Sequence, residues 1–208
     1  MQTEREKQTQ INYDLRPYEW LEYSGGKDRK CYWQKEMNSF LSNLGKDKKV
    51  LEIGCGPATD GKFLLSGGCK DVVSIDYSIG MLNMAKAILK TTDSKPQLCK
   101  MDAYNIGFED NSFDGFWATA VFVHISEPKK VFDEIHRVLK PKGYGFLSVK
   151  EGEGERVDEK TGYYFHYFPV DGEDSISSTL LKTGFKTVNM EKRETPKYNW
   201  LTYLVQKK

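Results

Sequence analysis

From residue 48 onward, short apolar runs alternate with stretches in which apolar residues recur every three or four positions. Runs of the first kind read as strands buried on both faces, and the second kind as helices with one apolar stripe. Val50-Leu51 and Ile53 predict an interior strand, and residues 70–76 and 97–101 predict two more. Residues 111–118 carry a fourth, and the stretch through Leu139 and Pro141 to Gly143 approaches a fifth. Between them, Ser78 is a candidate N-cap for a helix that buries Met81, Leu82, Ala85 and Leu89. Ser126 and Pro128 open another, burying Val131, Phe132, Ile135, Val138 and Leu139. Ahead of this alternation, Tyr32, Trp33, Met37, Phe40, Leu41 and Leu44 fall at helical spacing, and Gly45 supplies a stop. Ile176, Leu180 and Leu181 lead to Gly184, and β-rich runs at 185–190 and 200–205 then suggest a terminal hairpin. The alternation argues for an α/β protein with a parallel sheet.

The first strand runs into Gly54-Cys55-Gly56-Pro57-Ala58-Thr59. The two glycines remove side chains where the backbone bends sharply and a ligand must approach. A helix starting at Thr59 would aim its unpaired N–H groups and its dipole at whatever sits in the turn. That is a nucleotide-type cradle. A dinucleotide fingerprint, G-x-G-x-x-G/A, wants a small residue at position 59, where Thr stands with Ala at 58. Glu52, just before the turn, suits a ligand that carries a cation and would repel a phosphate. No G-x-x-x-x-G-K-S/T run occurs, so a P-loop is excluded. Asp76 follows Gly54 by 22 residues, close to the roughly 20-residue offset at which an acid meets ribose hydroxyls. The third strand ends in Asp102-Ala103, a carboxylate able to accept from an adenine amino group and an N–H able to reach a ring nitrogen. Three successive strands therefore end in acids on the rim where open α/β sheets bind ligands.

This combination resembles the class I S-adenosylmethionine-dependent methyltransferases, in particular the small methyltransferase-domain proteins that act on free metabolites. The resemblance covers roughly residues 30–206. V-L-E-I-G-C-G is similar to the family's first motif, V-V-S-I-D-Y-S with Met81 to its second, and C-K-M-D-A to its third. N-S-F-D-G-F-W-A looks like the fourth strand, and E-I-H-R-V-L-K-P-K-G like the approach to the fifth. Two departures are visible: Ala58 stands for the usual third glycine, and Lys142 for a glycine before the fifth strand. The resemblance implies a Rossmann-like, doubly wound, seven-stranded and mostly parallel sheet with an antiparallel C-terminal pair. It implies a single domain over 1–208, with residues 1–29 as an arm or lid and 151–174 as a substrate-side loop. It also implies S-adenosylmethionine as methyl donor and S-adenosylhomocysteine as product. Glu52 would then face the donor's amino group, with Gly54, Cys55 and Gly56 beside it. Asp76 would hold the ribose diol, Tyr77 and Met81 would cover the adenine, and Asp102 with Ala103 would read its edge. Ala118 and Thr119 would flank the sulfonium.

Composition narrows the acceptor only partly. Lys plus Arg number 31 and Asp plus Glu 30, so no charge excess points to nucleic acid or a membrane. Cys31, Cys55, Cys69 and Cys99 form no C-x-x-C, and with three histidines no zinc spacing appears. They read as reduced thiols of a cytoplasmic protein, and no signal peptide or membrane span is evident. Two regions offer acceptor contacts: residues 11–20, with Tyr13, Tyr18 and Trp20, and the long connection at 150–174. If the aromatic run at 163–168 is extended, Tyr163, Phe165 and Tyr167 share one face, and Tyr164, His166 and Phe168 the other. Tyr18, Tyr164 and His166 are the acceptor candidates. His124, just past the fourth strand, is the acid–base candidate; its structural alternative is a hydrogen bond that orders the loop. The leading expectation is methyl transfer to oxygen, nitrogen or sulfur of a small molecule, with a general base needed only where the acceptor must lose a proton. Alternatives are an RNA or protein methyltransferase, a cofactor-binding regulatory module without turnover, and, more remotely, a nicotinamide dehydrogenase. The oligomeric state is not legible.

Overall fold

A computed structural model describes residues 2–23, 31–93 and 95–208. Residue 30, where the family resemblance begins, and the side chain of Trp20 lie outside the described residues. Among the described residues, five strands form the central parallel part of the sheet: β1 (Lys49–Ile53), β2 (Asp71–Asp76), β3 (Gln97–Lys100), β4 (Phe113–Thr119) and β5 (Leu139–Glu151). Their spatial order is β3-β2-β1-β4-β5. Two short strands follow in the chain, β6 (Glu155–Val157) and β7 (Tyr164–Phe168), and then β8 (Phe185–Arg193) and β9 (Trp200–Lys207). Strand β9 lies antiparallel to β5, and β8 antiparallel to β9. The expected seven-strand arrangement with its antiparallel last pair is present.

The difference lies in the connection after β5, which the sequence reading treats as a loop. There β6 and β7 form an antiparallel hairpin, and β7 joins β5 in parallel through Lys150 and Glu151. Lys150 thus lies between Trp200 of β9 and Tyr167 of β7. Three-residue β6 is exposed throughout, so it carries no apolar alternation for a sequence pattern to register.

Among the described residues, seven helices accompany the strands: α1 (Glu4–Leu15), α2 (Pro17–Tyr23), α3 (Gln34–Leu44), α4 (Thr59–Ser66), α5 (Ile79–Leu89), α6 (Pro128–Val138) and α7 (Ile176–Lys182). Side chains alternate across the sheet, so each strand feeds two cores. Leu51, Ile53, Phe116 and Leu147 pack with Val131, Phe132 and Ile135 of α6 and with Ile176 and Leu180 of α7. Val50, Val72, Trp117 and Phe146 pack with Met37 and Phe40 of α3 on the opposite side. Ser78 caps α5, its hydroxyl accepting from the Met81 N–H. Ser126 does not cap α6; residue 127 precedes that helix without a side-chain cap, and the Ser126 hydroxyl donates to Glu6 instead.

Helix α1 is unlike the others because the residues it buries are polar: Glu6, Thr9 and Asn12. Thr3 and Glu6 close its first turn as a capping box. No helix among the described residues is long and apolar enough to cross a membrane.

Candidate active site

At the carboxyl ends of β1, β2 and β4, and beyond β3, the chain leaves a cavity of about 1180 Å³. A single ligand site typically measures about 300–1,000 Å³, so two ligands fit side by side. One half is built from turns. Gly54 and Gly56 adopt left-handed φ values of 61° and 51°, and a Cβ on Gly54 would lie 2.5 Å from Val121 Cγ2. Glycine is needed there both for the bend and for the close approach of the loop after β4. Asp76 ends β2 with both carboxylate oxygens anchored: Oδ2 accepts from the Gly56 N–H at 2.7 Å and Oδ1 from the Ser78 N–H at 2.8 Å. Each oxygen keeps a further lone pair. Burial pushes this carboxyl up to about 6 despite those bonds, which leaves it short of partners in a way that a pair of ligand hydroxyls would satisfy. Tyr77, Met81, Asp102 and Ala103 line the same half, with Asp102 held by the Tyr104 N–H at 3.0 Å.

Several expected residues stand behind this wall. Glu52 is opposite Ser74 in the β1–β2 register, and its carboxyl accepts from the Ser74 hydroxyl and from the Gly61 N–H, turning into the protein and away from the cavity. Burial, and the charge of Asp60 nearby, push it up to about 8. A carboxyl raised in this way and turned from the cavity is poorly placed to face an amino group. Cys55 is buried against Ala58 and Leu82. Ala118 packs in the core beneath the sheet, because alternation along β4 gives the cavity-lining position to Thr119. Thr119 donates to Asp60 Oδ2 at 3.0 Å, as does the Trp117 indole.

The other half is made by elements far apart in sequence. Helix α1 spans it as a roof. On one side Gln10 donates to the Tyr77 carbonyl, and Asp14 accepts from the Ser78 hydroxyl and the Gly80 N–H. On the other, Asn12 donates to the Thr161 carbonyl and Thr9 accepts from the Tyr164 N–H. Glu6 ties the roof to both neighbouring loops, Oε1 accepting from the Tyr104 hydroxyl at 2.7 Å and from the Ser126 N–H at 2.9 Å. Burial raises the Glu6 carboxyl, but these bonds and those from Thr3 outweigh it and hold the group below its ordinary range.

The aromatic run is extended over 164–168, and the face that meets the cavity is not the one that carries the candidates Tyr164 and His166. Tyr163, Phe165 and Tyr167 line the cavity, whereas Tyr164 and Phe168 are buried beneath. His166 stacks on Phe168 and bonds the Ile125 carbonyl through Nδ1 at 2.9 Å. Tyr18 is 64% exposed on α2, away from the cavity.

His124 closes a single 3-10 turn, Phe122–His124, at the cavity floor. Its Nδ1 lies 2.6 Å from the Tyr164 carbonyl and its Nε2 2.9 Å from the Tyr13 hydroxyl. A carbonyl only accepts, so Nδ1 carries the proton and Nε2 accepts from Tyr13. Burial, with the charge of Lys150 adding, depresses the imidazole to about 4 despite the Tyr164 bond. Burial also pushes the Tyr13 hydroxyl up. The ring is a neutral base with a hydroxyl in front of it. Tyr13 was legible as an aromatic lid residue, but its pairing with His124, across 111 positions, was not.

Residues 51–147 match the family model described as a methyltransferase domain. Phosphoethanolamine N-methyltransferase 2 of Caenorhabditis elegans is 28% identical over 210 residues, covering 93% of this chain and 45% of that protein. A demethylmenaquinone methyltransferase of Staphylococcus epidermidis is 37% identical over 118 residues, 53% of this chain and 46% of that protein. The chain thus spans less than half the length of both relatives. A 1,6-didemethyltoxoflavin-N1-methyltransferase of Burkholderia thailandensis, solved with S-adenosylhomocysteine, superposes with a TM-score of 0.71 at 18% identity, over 100% of this chain and 91% of that one. That likeness carries the fold. The motif-bearing strands stand in the expected order, the family model spans β2, β3 and β4 entire, and over this segment the chain is similar to S-adenosylmethionine-dependent methyltransferases.

Proposed function

We propose that this chain transfers the methyl group of S-adenosylmethionine to oxygen, nitrogen or sulfur of a small molecule by in-line displacement. The observation that carries the reading is one cavity in which the Asp76–Asp102 rim stands beside the Tyr13–His124 pair. When bound, the donor supplies a methyl group already activated by its sulfonium. Asp76 would take the ribose hydroxyls, Asp102 and Ala103 the adenine edge, and Tyr77 and Met81 the ring faces. Gly54 and Gly56 leave room for the methionine part, and Thr119 stands near the sulfonium. Glu52, Cys55 and Ala118 support this wall from behind.

The chain's own contribution is chiefly orientation, worth on the order of 7–11 kcal/mol when two reactants are held in line. The roof of α1 excludes water while they react. Where the acceptor must lose a proton, Tyr13 takes it at Oη as its own proton passes to His124 Nε2, and the Tyr164 carbonyl keeps the resulting imidazolium oriented. A positioned base of this kind contributes about 10²–10⁴-fold. The two relatives are named for different acceptors, consistent with a common donor half and a variable acceptor half.

Incubation with methyl-labelled S-adenosylmethionine and a metabolite extract, followed by mass spectrometry, tests the reading. A labelled low-molecular-weight product, lost in His124→Ala, is expected. Label confined to RNA or protein would replace the small-molecule assignment. S-adenosylhomocysteine binding without transfer to any fraction would indicate a module without turnover.

A further inference from the structure

Among the described residues, Lys150 is a buried cation with no anion paired to it. It ends the β5–β9 ladder where the β7 hairpin joins the sheet, is only 7% exposed, and lines the cavity. Its ammonium sits 3.7 Å from the Phe165 ring centre and 4.3 Å from that of Tyr198. Among the described residues it makes no hydrogen bond and no ion pair. Asp158, the acid whose charge it feels, turns Oδ1 to Lys160 and Thr161. Aromatic faces return less to a desolvated cation than burying an unpaired charge costs. Packing alone would be served better by an apolar side chain.

The cation is not isolated in the wall. Arg156, over Tyr167 at 5.2 Å, and Lys197 line the same half. Lys150 and His124 share Phe165 as a neighbour, the His124 ring centre being 5.1 Å and the Lys150 ammonium 3.7 Å from that ring centre. A molecule reaching from His124 to Lys150 therefore needs to be only about one ring long.

We propose that the methyl acceptor carries an oxyanion, a carboxylate or a phosphate monoester, which pairs with Lys150 beside Arg156 and Lys197 while the reacting atom lies at Tyr13–His124. This rests on the donor-site reading above and names the substrate class of that site. Burial lowers the ammonium to about 8, so it remains mostly charged at pH 7, and a bound anion would raise it.

The test uses the full chain saturated with S-adenosylhomocysteine, at low ionic strength. Inorganic phosphate, phosphoethanolamine, glycine and ethanolamine are titrated by calorimetry into the wild type and Lys150→Met, and the Lys150 Cε resonance of the wild type is followed by NMR. At least one of the phosphate or carboxylate probes should bind tenfold or more tightly than ethanolamine, shift the Lys150 resonance and raise its titration point, and lose tenfold or more in Lys150→Met. Whether phosphate-bearing probes or glycine do so identifies the oxyanion. Unchanged S-adenosylhomocysteine affinity in the variant certifies its fold, and the NMR arm stands without any variant. If S-adenosylhomocysteine binds but no oxyanion moves Lys150, or binding is equal in Lys150→Met, the acceptor class is wrong and the donor site survives. If S-adenosylhomocysteine itself fails to bind the wild type, both fall.

Discussion

The two halves of the cavity are built by different means. The proposed donor half comes from strand ends and turns between Gly54 and Ala103, where glycine backbone and two acids set the shape. The proposed acceptor half comes from α1, the β6–β7 hairpin and the loop before β9, joined by hydrogen bonds such as Thr9 to Tyr164 and Tyr13 to His124. Backbone geometry fixed by a short stretch of chain leaves little room to vary. Side chains brought from three distant elements can be exchanged without disturbing the sheet. A common donor half with a changeable acceptor half follows from that construction.

The sharpest separation of the halves is His124→Ala. Methyl transfer to an acceptor that must lose a proton should fall about 10²–10⁴-fold, measured as kcat with the acceptor found in the labelling experiment. Tyr13→Phe should move in the same direction. Affinity for S-adenosylhomocysteine should change little in either, and a large loss would mean that the halves are not separate.

Gly54→Ala attacks the other half. The left-handed φ of 61° costs a side chain about 1–2 kcal/mol, and Val121 must also give way. A loss near 2 kcal/mol should lower Tm by about 4–8 °C for a chain of this size, with weakened S-adenosylhomocysteine binding. An unchanged Tm would show that the bend is not set by this residue.

Glu6→Gln tests the roof that spans both halves. It replaces a buried carboxylate by an amide whose N–H₂ must face donors from Tyr104, Ser126 or Thr3. The loss should be about 1.5 kcal/mol and should appear as faster hydrogen exchange along α1 while the β1–β5 amides stay protected. Uniform acceleration would mean that the roof does not open on its own.

The smallest effect is one of pH. Burial raises Asp76 to about 6 in the free protein, and only the ionised form accepts from both ribose hydroxyls. Affinity for S-adenosylhomocysteine should therefore fall as pH drops through about 6, by no more than tenfold per unit because one proton is involved. His124, depressed to about 4, should add no acid limb near 6.5 to the activity profile. A limb there would show an imidazole less buried than this one.

How far the sequence reached follows the same division. Ser78 as a cap, Asp76 at the end of β2 and the terminal hairpin rest on local signals, and the structure has all three. Glu52 turns away from the cavity because its side chain is set by register with Ser74 on another strand, which no local pattern encodes. Tyr164 and His166 fall on the face away from the cavity; a one-residue change of phase exchanges the two faces of a strand, and the run is aromatic on both, so the sequence does not say which face lines the pocket. Helix α1 was invisible as a packed element because it buries Glu6, Thr9 and Asn12 rather than an apolar stripe. Its function as a roof rests on hydrogen bonds to residues 64 to 155 positions away.

Calorimetric titration of S-adenosylhomocysteine into the wild type and Asp76→Ala tests the central claim most directly. The account predicts one site per chain in the wild type and a loss well over tenfold in the variant, since hydrogen bonds to a charged group are each worth about 1.5–3 kcal/mol. No binding to the wild type, or equal affinity in the two proteins, would contradict it.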